Sequence, residues 1–288
     1  MSDITGLTRK KSHSTVSISR RAKSAPSPAD KADKKHSAEP PIVVEGEYNG
    51  SRITVYGEVH NLISNEFYEN LNLRNKIIFV EHPSVQCDIS TNNKKRLFNK
   101  LKGSEWVWYK YAARKLPVVC VDNRIAMGLL TSIEENKLLD IIDLLKAIEL
   151  IVIAFDVLLQ KDTKIMFVRE NLTPIYMKGV NTINTQLETL VTTLSNSKKI
   201  TKKKAEELMD LKNKIVRNII KLSGILVDIH VKKQVEKYAD GTKKQIVIFM
   251  GAGHAYRLHA FFPQIFKDIK YNLEDPDFKT DMEQIIYE

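Results

Sequence analysis

The sequence predicts an α/β fold: a mostly parallel central sheet flanked by helices, with a long helical insertion before the last core strand. Three observations carry this. Four short runs are dense in Val, Ile and Phe, and near-continuous apolar strands are what a sheet covered on both faces requires. The spacers between the first three runs have helical periodicity, giving a β-α-β-α-β order that implies right-handed crossovers. Between the third and fourth runs about a hundred residues show no strand pattern.

The first 41 residues stand apart. They hold nine Lys/Arg against four acids, so a segment of about a seventh of the chain carries +5 of the formal +10 charge. Rich in Ser and Pro and almost free of large apolar groups, they predict a disordered basic arm. Such an arm suits an acidic partner or a membrane surface. Within it, "RRAKSAPSP" resembles a basic-directed phosphorylation site at Ser24 of the kind that 14-3-3 adaptors read. Residues 42–288 are expected to form a single domain.

The predicted strands are "SRITVYG" (51–57), "NKIIFVEHP" (75–83), "LPVVCVDNR" (116–124) and "KQIVIFMGAGH" (244–254). "ISNEFYENLNL" reads as a helix capped by Ser64 or Asn65. "NNKKRLFNKLKGSEWVWYKYAARK" reads as a helix, a break at Gly103, then a second helix. The insertion, residues 131–236, opens with a helix to about Gln160 and continues with a short one before Pro174. A polar helix over 181–196 and a long helix from Thr201 follow, with Gly224 as a point of continuation or break. "DG" at 240–241 turns the chain into the fourth strand. The tail is read as an edge strand at "IKYNL" and a final short helix.

Composition excludes some classes. Two cysteines, Cys87 and Cys120, allow no dense disulfide framework; both are expected as buried thiols, which favours a reducing, cytoplasmic setting. The most apolar stretch, residues 144–159, is interrupted by Lys146, Glu149 and Asp156, so no transmembrane segment is expected. No secretory leader pattern and no nucleic-acid motif are read. "GAGH" lacks the further glycine and lysine of phosphate loops. "WVWYK" (106–110) and His230 read as packing groups rather than ligands.

The polar residues fall in one place. Each predicted strand ends in a polar cluster: Glu58, His60 and Asn61; Glu81 and His82; Asp122, Asn123 and Arg124; Gly251, Gly253 and His254. In an open parallel sheet these carboxyl ends share one edge, where α/β proteins bind ligands. Two imidazoles with carboxylates can hold Zn, Mn, Co or Fe and generate a nucleophilic water. Without a metal, one His serves as general base and a carboxylate orients it, while the other His or Arg124 stabilises negative charge.

"YGEVHN", "FVEHP", "VDNR" and "GAGHAYRL", in this order, resemble the TraB/TIKI group, within the clan that includes erythromycin-esterase-like and ChaN-like proteins. That group carries two G-x-x-H motifs, a glutamate after the second strand and an Asp-Arg element. Gly57 to His60 match the first motif and Gly251 to His254 the second. Glu81 stands at the glutamate position, and Asp122 and Arg124 look like the Asp-Arg element with Asn123 inserted. The resemblance spans residues 50 to about 262 through short motifs alone.

The resemblance implies a metal-dependent hydrolase, peptidase- or esterase-like, acting on a peptide or small molecule. It implies a site at His60, Glu81, Arg124 and His254; together with Glu58 from the strand-end cluster these are the candidate catalytic residues, and His60, Glu81 and His254 the candidate ligands of a divalent metal (Mn, Co or Zn). Some relatives cleave peptides near an N-terminus, some open lactones and one branch binds haem. The alternatives are therefore an inactive small-ligand or haem-binding module, or an interaction protein using the basic arm and the insertion. The chain departs from the group at Glu58, where many relatives carry a small or hydroxyl residue, and in "AYRL", which lacks the usual following glycine.

Overall fold

The computed structural model describes residues 40–59, 65–83, 103–112, 118–123, 141–160, 166–196, 201–241, 243–273, 277–280 and 282. The elements run β1 (Ile42–Tyr48), β2 (Ser51–Glu58), α1 (Asn65–Asn70), β3 (Ile77–Pro83), α2 (Gly103–Ala112), β4 (Val118–Asp122), α3 (Ile141–Gln160), α4 (Met166–Asn196), α5 (Lys202–Tyr238), β5 (Ile246–Gly251), α6 (Ala252–Phe261) and β6 (Phe266–Tyr271). The predicted basic arm and the Ser24 motif lie outside the described residues, as does the helix expected over residues 92–102.

The six strands form one mixed sheet in the order β4-β3-β5-β2-β1-β6. β2 pairs with β5, β5 with β3 and β3 with β4, all parallel; β1 pairs antiparallel with both β2 and β6. The four predicted strands are thus the parallel core, and their carboxyl ends share one edge. β1 was not anticipated. Its hairpin to β2 turns on Asn49 and Gly50, with φ of 48° and 76°. Positive φ at both central residues is the type I′ turn that matches strand twist, and Asn-Gly is its preferred sequence.

Two cores sandwich the sheet. The larger joins the strands to α3–α6, with Ile53, Val55, Phe79, Ile246, Ile248 and Met250 facing it. The smaller sets Ile78, Val80, Val247 and Phe249 against Tyr68 of α1 and Trp106 and Trp108 of α2. Strand parity decides which core a residue joins, because successive side chains point to opposite faces.

The insertion differs from expectation in its continuity. α4 runs through Pro174 without ending. Proline costs a helix one backbone bond. Here the next turn is anchored: Tyr176 stacks on Phe155 at 3.6 Å, and its hydroxyl donates to the Ile151 carbonyl at 2.7 Å. α5 likewise passes through Gly224 as one helix, started by Thr201, whose side chain accepts from the Lys204 N–H. Among the described residues no helix is long and apolar enough to cross a membrane.

The expectation of free thiols is corrected at Cys120, which is disulfide-bonded. The sequence around a cysteine does not reveal whether the fold brings a bonding partner within reach. The thiol argument for a reducing compartment goes with it.

Candidate functional site

Glu81 lies near the carboxyl end of β3 on the face of the larger core, two positions after Phe79. Its Oε2 accepts the Gly251 N–H at 2.7 Å. Gly251 closes the neighbouring strand and is the N-cap of α6. One carboxylate therefore ties the end of β3 to the first turn of α6, where negative charge is favoured. Its other oxygen, Oε1, lies 3.3 Å from Nε2 of His254.

The opposite ring nitrogen is held from the insertion. His254 Nδ1 donates to Oδ1 of Asp228 at 2.5 Å, and Arg257 Nε donates to Oδ2 at 2.5 Å. Asp228 lies in α5 and is fully buried; His254 and Arg257, three residues apart, share a face of α6. Arg257 Nη2 comes within 2.9 Å of His254 Nδ1. Two N–H groups so close are tolerable because the Asp228 carboxylate sits against both. Burial pulls the His254 pKa down, but the charges of Glu81 and Asp228 outweigh it and push it up to about 9. The ring is an imidazolium at neutral pH, with one carboxylate at each nitrogen.

Two glycines make this packing possible. A Cβ on Gly57 would stand 2.7 Å from the Cβ of Ala255. The first G-x-x-H glycine thus lets α6 lie against β2 and sets the height of His254 above the sheet. A Cβ on Gly224 would stand 2.9 Å from Arg257 Nη2 and 3.5 Å from His254 Cε1. The glycine read as a point of continuation or break lies inside one helix, and is the slot that receives the guanidinium.

Glu58 is not brought to this cluster. It follows Gly57, so its side chain takes the other face, where the Tyr68 hydroxyl donates to its Oε2. Tyr56, of the same parity, packs on Phe67 and Phe249 in the smaller core. His82 likewise leaves Glu81 for the α2 side, stacking on Trp108 with centroids 3.9 Å apart. Asp122 and Asn123 are buried at the end of β4. His230 is half-buried in α5 against Gln234 at 3.3 Å; its pKa is lowered by burial and the Lys233 charge. His60 and Arg124 lie outside the described residues.

Asp228 and Arg257 were missed from the sequence. A signal for Asp228 was present: it is the one ionisable residue within the buried run Leu222–Ile229. A carboxylate in such a run must be paired. Arg257 is marked only by its three-residue offset from His254, which places both on one helical face.

As to a metal, the described residues contain no group of three or more His, Cys, Asp or Glu arranged to hold one. They do supply two donors. Nε2 of His254 and Oε1 of Glu81 stand 3.3 Å apart, the spacing that two ligands of one small cation take at bonds of about 2.1 Å. Asp228 on the far nitrogen is the carboxylate that orients a ligating histidine. Comparison with family models finds no match to this chain, and comparisons with curated proteins and with solved structures find none either.

Proposed function

We propose that the chain is a hydrolase whose acid/base pair is His254 and Glu81, at the carboxyl edge of the sheet. The observation that supports it most is the 3.3 Å approach of Nε2 to Oε1, with the ring locked from behind by Asp228. The order of "YGEVHN", "FVEHP", "VDNR" and "GAGHAYRL", similar to the TraB/TIKI group, agrees with this reading.

Glu81 has one oxygen fixed by the Gly251 amide and the other 3.3 Å from His254 Nε2, and we assign Oε1 as the atom that accepts a proton from water. His254, held protonated by its two carboxylate neighbours, delivers a proton from Nε2 to the leaving group. Asp228 and Arg257 keep the ring in one orientation between these events. Where a divalent cation is bound, His254 Nε2 and Glu81 Oε1 would be ligands from the described residues and His60 a further one. The cation's contribution would be to lower the pKa of a bound water. To serve as such a ligand, His254 would have to be without its Nε2 proton.

The test is hydrolysis of nitrophenyl esters, a lactone and short peptides with free or blocked N-termini, with and without Mn, Co or Zn, alongside metal content by mass spectrometry. His254→Ala and Glu81→Gln should each lower turnover by about a hundredfold or more. If no class is turned over and purified protein retains no metal that these variants lose, the cluster is structural and the proposal fails.

A further inference from the structure

α3 is apolar on the side that leaves the molecule as well as on the side that enters it. Leu144, Ala147, Ile148, Ile151 and Phe155 are buried at the three- and four-residue spacing of one helical face, packed on α4 and α5. The opposite face of such a helix is expected to be polar. Its seven exposed positions from Leu145 to Val157 instead include four aliphatic side chains. Leu145, Leu150, Ile153 and Val157 are exposed by 52%, 37%, 51% and 42%. Leu150, Ile153 and Val157 follow one another at three and four residues and so form one stripe. The remaining exposed positions are Lys146, Glu149 and Asp156.

An aliphatic stripe with charges at its margin is the pattern of a protein contact. A bilayer suits it poorly, because two acids against one lysine leave the face negative toward anionic headgroups. The placing of the charges then selects the partner. Lys146 and Asp156 lie five residues from Ile151 on either side, and Leu145 and Val157 lie six. A second copy of α3, antiparallel about a two-fold axis level with Ile151, sets Lys146 beside Asp156 and Leu145 beside Val157, each twice over. Leu150 and Ile153 of both copies then meet at the centre. Parallel packing would instead set Lys146 beside Lys146 and Asp156 beside Asp156. Glu149 and Asp156 share one flank of the stripe, offset from its centre by about 70–90° at 3.6 residues per turn. Their carboxylates therefore stay at the wet rim, where the flexible stem of Lys146 reaches Asp156.

We propose that the outer face of α3 is the interface of a two-fold homodimer, with the two copies of the helix antiparallel. Four exposed aliphatic side chains from each copy make a small interface, so association falls in the micromolar range. The proposal is independent of the hydrolase reading.

Sedimentation velocity of the full chain over a micromolar concentration series tests it. The mass should rise from that of one chain, 33.0 kDa, toward twice that value. I153E should hold the protein at one chain's mass throughout and, since Ile153 is exposed, leave the urea midpoint in place. V191E, the same kind of change at an exposed site on α4, should leave the dissociation constant within about twofold. K146E and D156K should each raise it by about tenfold, because two ion pairs become two repulsive contacts. K146E/D156K should return it to within about threefold of the wild type, since the swapped charges again face their opposites. One chain's mass at every concentration overturns the proposal; a urea midpoint that I153E then lowers would assign the face to a segment of the same chain. Equal losses in V191E and I153E also overturn it, by assigning association to charge in general. Failure of K146E/D156K to recover excludes the antiparallel pairing and overturns it as well.

Discussion

Asp228 of the inserted helix α5 and His254 of α6 meet at 2.5 Å, and through this contact the insertion reaches the sheet edge. The same carboxylate holds Arg257. A buried acid that neutralises two cations cannot be replaced by its amide without leaving both uncompensated. Asp228→Asn should therefore cost about 3–5 kcal/mol of stability in urea denaturation. It should also drop the His254 pKa, read by NMR titration of the ring. Loss of stability with an unmoved His254 titration would mean that Asp228 serves Arg257 alone.

The same contacts give stability a pH dependence of definite sign. The folded-state pKa of His254 is raised to about 9, above its ordinary 6.5. Folding therefore favours the protonated ring. That contribution is complete below about pH 6.5 and is lost as pH rises through about 9; its size is on the order of 3 kcal/mol. Urea midpoints of the wild type should fall across this window, and His254→Gln should flatten the slope. Equal slopes in the two proteins would show that the ring titrates alike folded and unfolded.

The convergence of Glu81 and His254 was legible because parallel strands share a direction. Any two polar residues following apolar runs in such a sheet arrive at one edge. Which face of the edge each one takes was not legible. Strands covered on both sides have no polar side to fix parity, so Gly57 and Glu58 gave no sign of which looks toward α6. The hairpin of β1 could have been read from Asn49-Gly50 after the alternating "IVVEGEY". The extent of α4 could not, since proline is a helix-ending signal locally and the contacts of Tyr176 with α3 that accompany its continuation are not written in the local sequence.

Because Glu58 belongs to the other face, its removal should separate from that of Glu81. Tyr68→Phe deletes the hydroxyl donor to a buried carboxylate and should cost about 1.5–3 kcal/mol. Glu58→Gln should likewise lower stability while leaving the His254 titration in place. Glu81→Gln should lower the His254 pKa, since it removes one of the two charges that raise it. A His254 pKa that moves as far in Glu58→Gln as in Glu81→Gln would place both carboxylates in one cluster.

Gly224 tests how tightly the Arg257 guanidinium is seated. Alanine there favours the helix by about 1 kcal/mol over glycine. Its methyl group would stand 2.9 Å from Arg257 Nη2, and the guanidinium is buried and tied to Asp228, so it can yield only by leaving its present seat. The propensity gain offsets only part of the loss of a buried ion pair, and overall stability should fall by about 2–4 kcal/mol. With Arg257 displaced, Asp228 reorients and the His254 titration shifts, and any hydrolytic turnover falls with it as the urea midpoint drops. Paired measurements of midpoint and ring titration on Gly224→Ala check this. An unchanged titration would mean that the guanidinium has room to move and that the glycine in α5 serves packing alone.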